Sequence, residues 1–185
     1  VMSGDYVQRG VPAVMPKRLR AEMALKCGAA AVFELPVCYA SGSAEYFATG
    51  AVSLLDQLGI VDSLCFGSEC NDIDALGRIA GILLAEPAKY RSLLKSHLKN
   101  GQSYPAARMR AVSEYLGASS CVSVLNDPNN ILGIEYLKAL KKLESPIKPY
   151  TIRRVGSPYH DRELSGEHLS SASAIRSLIA YSGSA

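Results

Sequence analysis

The 185-residue chain has no tryptophan, and aromatic residues make up only 7% of it. No apolar run approaches the about 20 residues that a membrane-spanning helix needs, which argues against a membrane protein. No N-terminal segment has the basic, apolar, small-residue order of a secretory leader. Cysteine is sparse and odd in number: the five (Cys27, Cys38, Cys65, Cys70, Cys121) contain no C-x-x-C pair. That excludes a disulfide framework and reads as reduced core thiols of a cytoplasmic protein. The three histidines, His97, His160 and His168, are scattered, so no His/Cys cluster has metal-ligand spacing. Internal repeats and low-complexity tracts are absent too. What remains is a chain long enough for one well-packed domain, with or without an insertion.

Charge is small in sum and uneven in place. The formal net charge is +3. Between Glu86 and Leu116 six basic residues (Lys89, Arg91, Lys95, Lys99, Arg108, Arg110) face two Glu. Six more (Lys138, Lys141, Lys142, Lys148, Arg153, Arg154) stand between Lys138 and Arg154 against Glu144 alone. Basic charge gathered this way fits a polyanionic partner, and it fits solvated helix faces equally.

Val1-Met2 reads as the tail of a strand running into the loop Ser3-Gly4-Asp5, so the fold is expected to have begun upstream. Lys17 to Cys27 is predicted helical, with Leu19, Met23 and Cys27 on one face and Gly28 as its stop. Ala30 to Leu35 is a short apolar run closed by Pro36, and Val61 to Phe66 is another, stopping at Gly67-Ser68-Glu69. Ser43 to Leu58 between them has helical spacing. Alternating short apolar runs and helices predict an α/β fold, a doubly wound parallel sheet of the Rossmann-like kind. Ligands of such sheets bind beyond the carboxyl ends of the strands. Gly67 is then either a turn glycine or a place where backbone comes close to a ligand.

From Asp72 the pattern changes. Asp72 to Leu84, Ala88 to Leu98 and Pro105 to Leu116 are successive helical patterns with no strand between them. We therefore expect residues 1–70 and 119–185 to form the α/β core and 71–118 to be a helical insertion. Ser119 to Leu125 reads as a strand or extended link. Asn126-Asp127-Pro128-Asn129-Asn130 offers several N-caps for a helix over Ile131 to Leu143, and either late asparagine can serve. Lys148 to Val155 alternates as a strand, bringing Arg153-Arg154 to the ligand edge or to a solvated strand end.

The last motif is Ser170-Ser171-Ala172-Ser173-Ala174-Ile175-Arg176, ahead of the periodic residues Ile175, Leu178 and Ile179. It is the pattern of a serine-capped helix start. Unpaired first-turn N–H groups, the hydroxyls of Ser171 and Ser173, and Arg176 suit an oxyanion such as phosphate. An ordinary capped surface helix has the same pattern.

Four phrases together carry a resemblance: Met2-Ser3-Gly4-Asp5-Tyr6-Val7-Gln8-Arg9-Gly10, Phe66-Gly67-Ser68-Glu69, Pro128-Asn129-Asn130-Ile131-Leu132-Gly133-Ile134-Glu135-Tyr136, and Ser171-Ala172-Ser173-Ala174-Ile175-Arg176. The chain resembles the bacterial tRNA(Met) cytidine acetate ligase family, a branch of the nucleotidyltransferases that carry an HxGH motif. The resemblance runs from residue 1 to about Arg176. It implies an ATP-dependent ligase, cytoplasmic and off the membrane, that activates acetate as acetyl-adenylate. The wobble cytidine of elongator methionine tRNA is then acetylated on N4. It further implies that Gly67, Asn129, Arg153, Arg154, Ser171, Ser173 and Arg176 bind ATP, with Mg²⁺ accompanying it. Lys89, Lys95 and Lys99 are the candidate tRNA contacts in the basic helical segment. The HxGH motif is not in this sequence; it is expected about 30 residues upstream, the scale of one crossover unit, and this piece alone is expected to be inactive. Two other readings compete: a nucleotidyltransferase acting on a small phosphorylated metabolite, and a non-catalytic nucleotide- or RNA-binding module.

Overall fold

The computed structural model describes residues 1–117 and 124–154. The chain divides into two compact units, Val1–Ile152 and Arg153–Ala185. Of the second, only Arg153 and Arg154 are among the described residues.

The first unit is an α/β assembly with parallel strand pairing. Strand β1 (Met2–Ser3) pairs in parallel with β2 (Glu34–Leu35), Met2 opposite Glu34 and Ser3 opposite Leu35. Strand β3 (Ser63–Ser68) pairs with β4 (Lys148–Arg153). Between β1 and β2 lies helix α1 (Lys17–Lys26); after β2 come the single-turn α2 (Val37–Ala40) and α3 (Ala44–Gln57). Helices α4 (Ile73–Ala85), α5 (Ala88–Lys99) and α6 (Tyr104–Leu116) follow β3 in succession, and α7 (Pro128–Lys142) leads into β4.

Local chemistry fixes most of these boundaries. The Ser43 hydroxyl accepts the Tyr46 N–H at 3.4 Å to cap α3, and the Asp72 carboxylate accepts the Ala75 N–H at 2.9 Å to cap α4. Each such cap is worth about 1 kcal/mol. Pro87 stands at the entry of α5, and Gly117 closes α6 with φ +64°, a left-handed turn that glycine takes without strain.

Helix α7 is the spine of the unit. It packs on α3, α4 and β3, and its buried Ile134, Leu137 and Leu140 join Val52, Phe66, Leu76 and Ile79 in one core. A fully buried side chain of this kind contributes about 1.5–3 kcal/mol. Close approach to β3 depends on Gly133: a Cβ there would lie 2.5 Å from Cε2 of Phe66. Helices α5 and α6 pair as a hairpin around Tyr90, Ala107, Ala111 and Val112, all buried.

Helix α1 forms where its spacing predicts, but none of its residues is buried: Leu19 is 45% and Met23 48% exposed, and Cys27 is exposed as well. Two expectations are corrected. Of the thiols, Cys38 and Cys65 are exposed like Cys27 rather than in the core, Cys70 is half-buried against the core, and Cys121 lies outside the described residues. Apolar neighbours in sequence do not choose a face; Cys65 takes the strand face opposite its buried neighbour Phe66. Finally, the helix expected from Ile131 begins three residues earlier, with Pro128 in its first turn and Asp127 at the N-cap position, so Asn129 and Asn130 are inside it rather than capping it.

Candidate nucleotide site

Strand β3 continues through Gly67 and Ser68, two residues past the expected stop, with Glu69 next, and both polar side chains of this strand end are tied down. Ser68 is fully buried; its hydroxyl lies 2.7 Å from the Thr151 hydroxyl on β4 and accepts the Asn71 N–H at 3.0 Å. Asn71 holds φ +50°, a left-handed geometry that asparagine tolerates better than most residues. The Glu69 carboxylate reaches the first turn of α7. There one oxygen accepts the Asn129 side-chain amide at 2.6 Å and the other accepts the Asn130 backbone N–H at 3.0 Å. In return the side-chain oxygen of Asn130 accepts the Glu69 and Cys70 backbone N–H groups at 3.0 and 3.2 Å, and its amide donates to Asp127 at 3.2 Å.

This knot answers a physical need. A helix start leaves backbone N–H groups without intrahelical partners, and Asp127 makes no side-chain cap bond to them. Glu69 supplies the acceptor from 61 residues away, and its negative charge suits the positive end of the helix dipole. Asn130 is fully buried, yet none of its side-chain polar atoms is left without a partner. Asp127 has its carboxyl raised above the usual range, first by burial and then by the charge of Glu69. Tyr136, farther along α7 and set obliquely against Phe66 at 5.5 Å between ring centroids, is pushed up to about 12 by burial and stays protonated.

Of the expected ATP residues, the structure brings Gly67 and Asn129 into one polar assembly, because the turn after Gly67 is bonded to the turn that holds Asn129. Arg153 closes β4 and Arg154 follows it, both exposed and both in the second unit. Ser171, Ser173 and Arg176 lie outside the described residues. A second loop expected at the ligand edge, Ser3-Gly4-Asp5, is fastened by Arg20 on α1, whose guanidinium donates to the Ser3 carbonyl at 3.0 Å and to the Gly4 carbonyl. Lys17 binds both carboxylate oxygens of Glu34 at 2.9 and 2.8 Å.

The expected RNA contacts Lys89, Lys95 and Lys99 are all exposed on α5. Arg91, Lys95 and Lys99 recur every four residues and so share a stripe, with Lys89 beside it, its ammonium 5.9 Å from the centre of the Tyr115 ring. His97 bonds Glu114 at 2.9 Å and ties α5 to α6. For Mg²⁺, among the described residues no group of three His, Cys, Asp or Glu side chains is placed to hold a metal ion. No helix among them is long and apolar enough to cross a membrane.

Sequence reasoning gave no site role to Glu69, Asn130, Ser68 or Thr151. Two of the four phrases above contain Ser68, Glu69 and Asn130, but nothing local in them reveals a bond across about 60 residues.

A family model described as HIGH Nucleotidyl Transferase matches residues 1–185. The tRNA(Met) cytidine acetate ligase of Clostridium perfringens (strain SM101 / Type A) is 49% identical over 186 residues, covering 97% of this chain and 46% of that protein. That of Acetivibrio thermocellus is 50% identical over 185 residues, 100% of this chain and 44% of that protein. The chain thus spans less than half the length of these curated relatives. Among solved structures, Thermotoga maritima TmcAL in an apo form superposes with a TM-score of 0.92 at 44% identity, covering 98% of this chain and 44% of that one. The same protein bound with alpha-thio ATP gives 0.86 at 43% identity, covering 98% and 42%.

Proposed function

We propose, from the premise that the chain belongs to the HIGH nucleotidyl transferase family, that it is the nucleotide-activating portion of a tRNA(Met) cytidine acetate ligase. The observation that carries this reading is near-complete coverage of the chain, at 43% identity, by a solved relative bound with alpha-thio ATP. In the proposed reaction an acetate oxygen attacks the α-phosphorus of ATP and pyrophosphate departs, giving acetyl-adenylate. The N4 amine of the tRNA cytidine then attacks the acetyl carbonyl, AMP leaves with the bonding electron pair, and the nitrogen sheds a proton.

The residues of this chain suit the first step. Acetate is already an anion at neutral pH, so no general base is required, and catalysis is mostly positioning and charge neutralisation. Gly67 lets backbone approach the nucleotide, Asn129 offers it a hydrogen bond, and Arg153, Arg154, Ser171, Ser173 and Arg176 would balance phosphate charge. An HxGH motif upstream would complete that set. Segment 71–118 would be an insertion whose α5 stripe grips tRNA phosphates, through Lys89, Lys95 and Lys99, with a salt-dependent affinity. ATP and tRNA as substrates imply a cytoplasmic protein.

The test is pyrophosphate release from ATP by the complete protein. Release should require acetate, and Arg154→Ala should raise the ATP concentration needed. Release with a phosphorylated metabolite but not with acetate would replace this reading by a metabolite nucleotidyltransferase; binding of ATP with no release at all would leave a binding module.

A further inference from the structure

A carboxamide has two unlike ends, and which end faces a ligand decides what the ligand must offer. At Asn129 the choice is made by chemistry. Its side chain lies 2.6 Å from Oε1 of Glu69, and a carboxylate can only accept. The end facing Glu69 must therefore be the NH₂ group, an assignment fixed by the network rather than by the similar shapes of O and N. The carbonyl end, Oδ1, is therefore the end turned away from Glu69.

Glu69 in turn cannot turn away cheaply. Its second oxygen accepts the Asn130 backbone N–H at 3.0 Å, and its own N–H donates to the Asn130 side chain at 3.0 Å. The backbone N–H is a donor that no rotamer can reverse. We propose that Glu69 is a positioning residue that sets the polarity of Asn129, so that an acceptor faces the nucleotide and the nucleotide must supply a donor. The donor is a ribose hydroxyl or the exocyclic amine of adenine, not a phosphate oxygen or a ring nitrogen. The inference rests on the reading that Asn129 meets the nucleotide.

A polarity-swap cycle tests it, by calorimetric titration of ATP into the complete protein. In Glu69→Gln the fixed Asn130 N–H claims the glutamine carbonyl. The glutamine NH₂ then faces Asn129 and forces its carboxamide to reverse, turning a donor toward the nucleotide. In Asn129→Asp two carboxylates oppose each other. In the double variant E69Q/N129D the glutamine NH₂ donates to one carboxylate oxygen at position 129. The pairing is restored with reversed polarity, and the other carboxylate oxygen still presents an acceptor to the nucleotide. Each single variant should weaken ATP binding about tenfold or more, and the double should recover to within about threefold of wild type.

Nucleotide analogues identify the donor. Of 2′-deoxy-ATP, 3′-deoxy-ATP and N6,N6-dimethyl-ATP, the one lacking the donor should bind wild type and Glu69→Gln alike. If wild type binds no ATP, the functional reading falls and this one with it. If wild type binds but the singles are unaffected, or the double is as weak as the singles, Glu69 does not set the polarity. Thermal midpoints measured alongside separate the cases: loss of binding that tracks loss of midpoint in all three variants makes Glu69 a structural cap only.

Discussion

Helix α7 carries two polar clusters that solve the same problem differently. At its first turn, Glu69, Asn129, Asn130 and Asp127 are joined by hydrogen bonds in which every donor has one acceptor. Further along, Glu135 sits 5% exposed between Lys138 at 2.6 Å and Arg108 at 3.8 Å, while Glu45 meets Lys142 at 3.0 Å and Lys138 at 4.0 Å. This second group borders a cavity of about 360 Å³ that Tyr90 and Tyr104 also line. Hydrogen bonds between amides and carboxylates have direction, and here each donor has a single acceptor. Ion pairs act over distance with little direction, so Lys138 serves two carboxylates and a lost partner can be replaced. The first cluster specifies a geometry; the second balances charge.

The largest contrast should come from deleting the Asn130 side chain. Asn130→Ala removes the acceptor of two backbone N–H groups and should cost about 2–4 kcal/mol in urea unfolding; a loss below about 1 kcal/mol would mean that water substitutes and that the first cluster is as forgiving as the second. Glu135→Gln comes next, at about 1–3 kcal/mol, since a buried charge partner is lost. The cost is limited because Lys138 keeps Glu45 and both cations retain access to solvent. Raising NaCl from about 0.05 to about 0.5 M should modestly shrink the effect at the nearly buried Glu135 and change the Asn130 effect less, because the two bonds that Asn130 accepts come from uncharged backbone N–H groups.

The smallest effects separate the clusters by pH. The Glu45 carboxyl is held below its ordinary value, chiefly by its hydrogen bond to Lys142 and then by the Lys138 charge. Its contribution is therefore present above the ordinary glutamate value, about 4.3, and is lost as pH falls through the lower folded value. Asp127 is raised, so its ionised form costs the folded state more. That penalty is absent in acid and grows as pH rises from the ordinary aspartate value through the raised folded one. Relative to wild type, Glu45→Gln should lose stability and Asp127→Asn gain it as pH rises from about 3 to about 7, on a scale of about 0.5 kcal/mol; equal slopes in a pH series of thermal midpoints would erase the distinction.

How far the sequence revealed this arrangement depends on the range of the interaction. Helices α3 and α4 were legible within a residue or two, because Ser43 and Asp72 announce them locally and the apolar spacing persists for several turns. The four-residue α2 was not, being too short for any period. The start of α7 was blurred by five polar or proline residues in a row. Proline in the first turn and an acceptor arriving from Glu69 decided it, and only the first of those is written locally. The exposed stripe of α1 shows the limit of periodicity: a pattern reports a face, not what rests on it. At the site, Gly67 was suggested by its place at a strand end and Asn129 by resemblance, while Glu69, which bonds the turn that holds Asn129, needed coordinates.

The bare α-carbon at Gly133 acquires a meaning beyond tight packing. It stands one helical turn past Asn129 and Asn130 and sets how near α7 can lie to the strand that delivers Glu69. A methyl group there would act as a shim, prising helix from strand by way of the Phe66 ring. The widening would be felt at the far end as stretched bonds to Glu69. A hydrogen atom at one position thereby helps decide how squarely a carboxylate from the neighbouring strand meets the first turn of the helix.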